Sequence, residues 1–343
     1  MVNKMKLKLL FLSLLLLSTS LQAKTHLNGL QTIASRGYVA CGTDTSNSFL
    51  VYKDEANEWR GPDADICRIF AIAMVGNENS FDMINITAKD APKALDDGKI
   101  DIMLGNSAIS AKQEISFPMM AMDLLYIDRQ LFASRHKTDF ESMDGFKESK
   151  VCVVADTLEE ENLAEYNQRY VMKFKIITFP NEDEARKAFY LERCQLITGT
   201  EFFLNQAVKS LVSKNNDITI LPEVIASRPV YAYCSKDNPN LRIIGKWVIN
   251  ALKLAEQYGI NSKNIDTFIG IRNRSLKNLL GVETNLWNEF GLRTDWVKVA
   301  LEKVGNYGEF FEKNIGNESA LNVPRDKNKL IKDGGFIGAV PFI

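Results

Sequence analysis

The sequence predicts an α/β protein built of two similar lobes in series, and three observations carry that expectation. Helix-period and strand-like runs alternate from residue 27, the alternation starts again at residue 151, and the length leaves room for two such units. The chain has 343 residues, 45% apolar and 25% charged. That length suits about two domains, each with its own core. The composition is that of an ordinary globular protein and excludes wholesale disorder or a fibrous repeat.

The elements follow in order. Residues 1–23, MVNKMKLKLLFLSLLLLSTSLQA, begin with Lys4, Lys6 and Lys8, continue through an apolar run at 9–17, and end small and polar. This is the layout of a secretory signal peptide cleaved after Ala23. A spanning helix needs about 20 apolar residues, and this run has half that. No cysteine marks a lipid anchor at the cleavage point. The mature chain is expected to be soluble and exported, and loss of the three lysines takes its formal charge from −1 to −4.

Residues 27–36 have amphipathic helical spacing, ended by Gly37, and 38–42 read as a strand. Residues 63–75 place apolar groups at 66, 69, 70, 73 and 74, a helical period closed by Gly76. A strand at 81–87, a helix at 89–97 and a strand at 100–104 complete β-α-β-α-β, which demands a mainly parallel sheet. The second half repeats it, with strands at 151–154, 174–179 and 195–198 and helices at 157–169, 181–191 and 200–211. Residues 217–221 and 230–234 add extended runs, and 240–258 form a long helix ended by Gly259. Thr294 can N-cap a last helix through 304, stopped by Gly305. The extended runs at 125–134 and 230–234 are the expected crossovers, a two-strand hinge between lobe one (24–130 and 235–343) and lobe two (131–234). Ligands of such sheets bind at the carboxyl ends of the strands, here the cleft.

Export makes paired cysteines structural staples. With two lobes, the economical pairs are Cys41–Cys67 and Cys152–Cys194, each worth about 3–4 kcal/mol in the chain-entropy model. Cys234 is left as a buried thiol. Two histidines, His26 and His136, leave little for a metal site or a His-dependent triad, and no nucleotide, zinc-protease or hydrolase motif occurs. The near-neutral charge gives no footprint for nucleic acid. No cofactor and no metal are expected. The acidic run Glu159-Glu160-Glu161 reads as a solvated helix start.

Cys41-Gly42 followed by Trp59-Arg60-Gly61-Pro62-Asp63-Ala64-Asp65-Ile66-Cys67-Arg68 resembles the solute-binding proteins of polar amino-acid ABC importers, bacterial solute-binding protein family 3. The similarity is greatest to their longer, general L-amino-acid-binding branch. The spacing from Cys41 to Cys67 matches that family without a gap. Supporting stretches are Ala94-Leu95-Asp96-Asp97-Gly98, Val151-Cys152-Val153, Glu192-Arg193-Cys194, Leu221-Pro222-Glu223 and Gly305-Asn306-Tyr307-Gly308-Glu309-Phe310-Phe311. The resemblance implies a two-lobed periplasmic-binding architecture of type II with a discontinuous lobe one. It also implies a small amino-acid-like ligand held between the lobes, an inner-membrane ABC permease as partner, and no covalent chemistry.

The family's site has a lobe-one arginine on the ligand carboxylate, hydroxyl and backbone donors from a Gly-Thr-Thr turn, and an acidic anchor for the ammonium. In this chain the arginine falls on Gln113 with Lys112 beside it, and one hydroxyl position falls on Ala108. The turn falls on Asp156-Thr157-Leu158, and the acidic anchor on Thr200 with Glu201 next to it. The expected lining is therefore Asp44, Asn47 and Phe49 of the first loop, and Asn106, Ser107, Ser110, Lys112 and Gln113 of the next. Lobe two adds Thr157, Thr200 and Glu201. With Lys112 and Glu201 as displaced clamps, an ordinary amino acid would still bind; without them the ligand would differ. Two further readings share the fold: a periplasmic sensor or scaffold that no longer binds a free amino acid, and a dehydratase with Asp156, Glu201 or Asp44 as its acid.

Overall fold

The computed structural model describes residues 29–45, 47, 49–87, 89–105, 111–135, 140–211, 218–270 and 272–343, with backbone alone at 111–113 and 209–211. The expected signal peptide lies outside these residues.

Helix α1 (Gly29–Arg36) leads into β1 (Val39–Thr43), the small hairpin β2 (Tyr52–Lys53) and β3 (Trp59–Arg60), α2 (Pro62–Met74), β4 (Phe81–Asn85), α3 (Ala91–Asp96), β5 (Ile102–Met103) and α4 (Ala111–Ser116). The long strand β6 (Met119–Ser134) then enters lobe two, which holds β7 (Lys150–Val154), α5 (Leu158–Arg169), β8 (Lys175–Phe179), α6 (Glu182–Tyr190), β9 (Leu196–Thr200) and α7 (Glu201–Leu211). The return strand β10 (Thr219–Ser235) is followed by α8 (Pro239–Gln257), α9 (Arg274–Leu280), α10 (Leu286–Glu289), α11 (Trp296–Lys303) and α12 (Tyr307–Asn314).

The sheet order is β4-β1-β5-β10-β6-β9-β7-β8, so the antiparallel pair β6 and β10 runs through the middle and joins two parallel halves. The runs expected at 217–221 and 230–234 are one strand. Between them, residues 222–229 carry Pro222, Glu223, Arg228 and Pro229 and lack the alternation that a half-buried strand shows, because here the strand bridges the lobes instead of roofing a core. Between Leu221 and Ala226 β10 carries extra residues against β6 and bends there, whereas between Val230 and Tyr233 the extra residues lie on β6.

Helix α2 starts on Pro62, whose missing N–H is no loss in a first turn, and it is buried throughout its length. It packs with α8, α11 and α12 around Phe70, Trp287, Trp296 and Phe310 in one large apolar cluster of lobe one. Lobe two has smaller clusters on the two faces of its sheet, one around Phe189 and one around Phe132 and Tyr166. The expected disulfides are present: Cys41–Cys67 joins β1 to α2 and Cys152–Cys194 joins β7 to the turn before β9. Cys234 is a buried free thiol whose pKa burial pushes up to about 12, with Arg242 acting the other way.

Thr294 does not cap the last predicted helix. The helix starts at Trp296 after Asp295, whose carboxylate is taken by Arg293 at 3.0 and 2.9 Å. Beyond α12 the chain straps back over lobe one. Arg325 grips Glu256 at 2.7 and 2.8 Å, and Asn250 exchanges two 2.8 Å bonds with Val340. Asn328 accepts from the Ile127 amide at 2.7 Å and donates to its carbonyl at 2.9 Å, so the tail is bonded to β6 like an extra strand residue.

Candidate ligand cleft

On the lobe-one side, the carboxyl ends of β1 and β5 are locked by Asp63, the second residue of α2. Its Oδ2 accepts from the Thr43 hydroxyl at 2.5 Å and from the Gly105 amide at 2.9 Å. Asp63 is 1% exposed, and this burial raises its pKa to about 7 against the pull of those two bonds. Gly105, at φ 87°, turns the chain where a side chain would be strained. The first loop folds on Asn47: its amide donates to Asp44, its carbonyl accepts from Leu50 and Val51, and its Oδ1 accepts from Phe49.

On the lobe-two side, Thr157 N-caps α5, donating to the Val154 carbonyl at 2.8 Å and accepting from Glu160. Asn181 caps α6 by accepting from the Glu184 amide, which places Glu182 at the carboxyl end of β8. Thr198 and Thr200 end β9, the first donating to Leu131 and the second accepting from the Phe203 amide. Arg228 reaches in from β10 and lies 3.0 Å from Glu159, both side chains being largely buried.

These groups enclose a cavity of ≈ 210 Å³ lined by Asp44, Asn47, Leu50 and Gly105 of lobe one, by Arg228 of the crossover, and by Val154, Thr157, Glu159, Glu182, Thr198, Gly199, Thr200 and Phe203 of lobe two. A second cavity of ≈ 300 Å³ adjoins it through Asp44, Asn47 and Glu182, and adds Phe49, Asn181, Asp183, Arg186 and Gln206. At this end the lobes touch: Gln206 donates to Asn47 Oδ1 at 3.2 Å, and Arg186 donates to Gln206 at 3.4 Å. Glu182 is raised to about 7, first by desolvation in the crowded cleft, with Arg186 opposing and Glu159, Asp44 and Asp183 reinforcing the rise. Water still reaches the Glu182 residue, which tempers that shift.

Of the expected lining, the structure brings Asp44, Asn47, Thr157 and Thr200 to the main cavity and Phe49 to the adjoining one. Asn106, Ser107 and Ser110 lie outside the described residues, and Lys112 and Gln113 are described only as backbone of α4. Glu201 is placed elsewhere. It is 6% exposed, and Arg129 holds its two oxygens at 2.9 and 2.8 Å while also reaching Asp326 at 2.9 Å. Thr200 faces the cavity and its neighbour faces the crossover, as successive residues at a strand end do. Glu159, Glu182, Thr198 and Arg228 are additions. Glu182 follows an Asn cap at the end of a parallel strand, a position the general rule for such sheets singles out.

Among the described residues no group of three His, Cys, Asp or Glu side chains could hold a metal ion, and no helix is long and apolar enough to cross a membrane.

No family model matches the chain. The general L-amino acid-binding periplasmic protein AapJ of Rhizobium johnstonii is 30% identical over 314 residues, 91% of this chain and 92% of that protein. The glutamate/glutamine/aspartate/asparagine-binding protein BztA of Rhodobacter capsulatus is 26% identical over 91% of this chain and 93% of its own length. An ABC transporter periplasmic binding protein from Brucella ovis, solved with glutathione bound, superposes with a TM-score of 0.84 at 29% identity, covering 92% of this chain and 99% of that one. The cysteine-binding protein of Campylobacter jejuni, at 18% identity, TM-score 0.52 and 68% of this chain, shares the fold. The chain thus belongs to the family of amino-acid ABC-transporter solute-binding proteins.

Proposed function

We propose that the mature chain, freed of residues 1–23, works as a monomer in the periplasm. It takes up one small polar solute between its lobes and delivers it to an inner-membrane ABC permease without transforming it. The observation that carries this reading is the ≈ 210 Å³ cavity lined from both lobes and from the crossover strand, with carboxylates and a guanidinium around it. A ligand touching both walls would favour the closed arrangement by its differential contacts. The ligands named for AapJ and the Brucella protein, L-amino acids and glutathione, set the size and polarity expected here. The lobes divide as 24–130 with 235–343 and as 131–234, a division supported by two apolar clusters lying within the second unit, while Phe202, Val230, Ala232 and Cys234 of that span pack in the large cluster of the first.

Thermal melting of residues 24–343 against amino acids, short peptides, polyamines and organic acids tests the reading. A ligand at a hundred times its Kd adds about 2.7 kcal/mol to the folded state. No shift with any compound would refute solute binding and favour a sensor or scaffold. Glu182 would also serve a dehydratase as general acid, and chemical turnover of the stabilising compound would favour that reading.

A further inference from the structure

We propose that the solute is a short peptide, held by its backbone along the free edge of β10 in a chamber beside the main cavity. The inference deepens the solute-binding reading above and rests on it. The chamber, of ≈ 390 Å³, is larger than the ≈ 210 Å³ main cavity and meets it at Arg228, which lines both. It lies between the lobes, with Glu114 of α4 on one side and Asn162 of α5 on the other. Four consecutive residues of β10, Ala226 to Pro229, line it together with Tyr231 and Tyr233. Successive residues of a strand face opposite sides, so a run of four along one chamber means that the strand presents its edge there.

That edge carries no described strand. β10 pairs with β6 along this stretch and with β5 only at Tyr233. The register sets Pro229 opposite Ile127, whose amide and carbonyl both go to Asn328. The Ile127–Pro229 pair therefore exchanges no hydrogen bonds across the ladder, and in an antiparallel ladder the backbone groups of such a pair point outwards. Pro229 turns out its carbonyl, and its missing N–H costs the ladder nothing. Ser227, two residues earlier in the same alternation, turns out both its N–H and its carbonyl. Neither residue's outward groups have a hydrogen-bond partner among the described residues. The groups named are backbone atoms of β10, so the side chains of 106–113 are not needed.

An extended peptide completes such an edge. The N–H and C=O of one ligand residue meet those of Ser227, and an amide two residues along, about 7 Å away, reaches the Pro229 carbonyl. Three residues cover the stretch, whereas a free amino acid has no peptide amide to offer. Main-chain bonds of this kind tolerate different side chains, and the edge-on rings of Tyr231 and Tyr233, 6.3 Å apart, offer them an apolar wall.

Titration calorimetry on residues 24–343 tests this with Ala-Ala-Ala, Gly-Leu-Ala and glutathione, set against alanine, glutamine, glutamate, lysine and putrescine. The α-linked tripeptides are expected to bind about tenfold or more tighter than any single amino acid or putrescine, and within about tenfold of each other. Methylating the amide nitrogens of the better tripeptide should weaken it by about two- to tenfold for each bond lost. S227P removes the outward donor, leaves the bonds to β6 in place, and should weaken the tripeptide by a similar factor. K332Q, on the exposed strap, should leave binding unchanged. Circular dichroism confirms that each variant is folded, and the methylated peptide needs no variant. A free amino acid or putrescine as tightest binder, glutathione binding where the α-linked tripeptides do not, or a tripeptide whose binding ignores both methylation and S227P, overturns the inference and leaves solute binding standing. If nothing binds, both fall.

Discussion

The Asp63 lock makes a prediction about pH that runs against the usual behaviour of a buried carboxylate in an ion pair. Its folded pKa of about 7 exceeds the ordinary 3.8, so the folded state keeps a proton that the unfolded chain gives up. Below pH 4 both states are protonated and Asp63 adds no pH dependence. Between pH 4 and 7 stability falls as pH rises, by about 1.4 kcal/mol per unit, and above 7 the loss is constant. Over three units this amounts to about 4 kcal/mol at most. Asn at this position retains one oxygen for both the Thr43 hydroxyl and the Gly105 amide, since both bond Oδ2, and it cannot ionise. D63N is therefore expected to match the parent near pH 4, to exceed it by about 1–2 kcal/mol at pH 5 and by about 4 kcal/mol at pH 8. D63A strands two donors, at about 1–3 kcal/mol each, and should be the weaker protein at pH 5. Urea unfolding from pH 5 to 8, followed by tryptophan fluorescence, is a suitable assay because Trp59, Trp247, Trp287 and Trp296 all lie in lobe one with Asp63. Parallel pH profiles for D63N and the parent would refute the reasoning.

Three other perturbations read out different parts of the molecule. Removing the Cys152–Cys194 bridge with paired alanines opens a 42-residue loop and should cost lobe two about 4 kcal/mol. Far-UV dichroism should then show an early transition that tryptophan fluorescence does not, and coincident transitions would argue against separable lobes. Q206A deletes the Asn47 contact between the lobe tips, worth about 0.5–1.5 kcal/mol. The ligand-free radius of gyration by small-angle scattering should rise, and an unchanged radius would deny that contact a part in holding the lobes together. N328A leaves the Ile127 amide and carbonyl without their partners, at about 1–3 kcal/mol. Hydrogen exchange at Ile127 should accelerate at least tenfold, and protection equal to the parent's would exclude the strap as its source.

The lobes were legible because their cores are written in short-range periods. Helix α2 shows its buried face every three or four residues, and the strands that pack on it are short apolar runs. Paired cysteines fitted that layout one pair per lobe. The middle of β10 was not legible, since Pro222 to Pro229 bridge two bodies and no single buried face imposes an alternation. The hairpin of β2 and β3 and the helices α9, α10 and α12 were also missed, although α12 carries a capping box in Asn306 and Glu309. At the cleft, the family resemblance points to Asp44, Asn47, Thr157 and Thr200, and each sits where a strand gives way to a loop or helix. Arg228 escapes that rule, being mid-strand, and its meeting with Glu159 depends on contacts some seventy residues apart. Glu201 shows the cost of reading one residue too far, since its partner Arg129 comes from a strand that only the folded sheet brings beside it.

The strap formed by the carboxyl-terminal segment makes the two crossover strands mechanically unequal. β6 is pinned to lobe one at Ile127, and two residues later Arg129 is stayed on one side by Asp326 of the strap and on the other by Glu201 of lobe two. Next to that pivot β10 carries the extra residues of the register shifts between Leu221 and Ala226, and among the described residues it has no such hydrogen-bonded pin from the strap. Any swing of lobe two then pivots on a fulcrum just past Ile127, with β6 as the stiff arm and β10 as the compliant one. The lever is short and one-sided, so the lobes should shear and twist as they approach instead of shutting like a symmetric clamp.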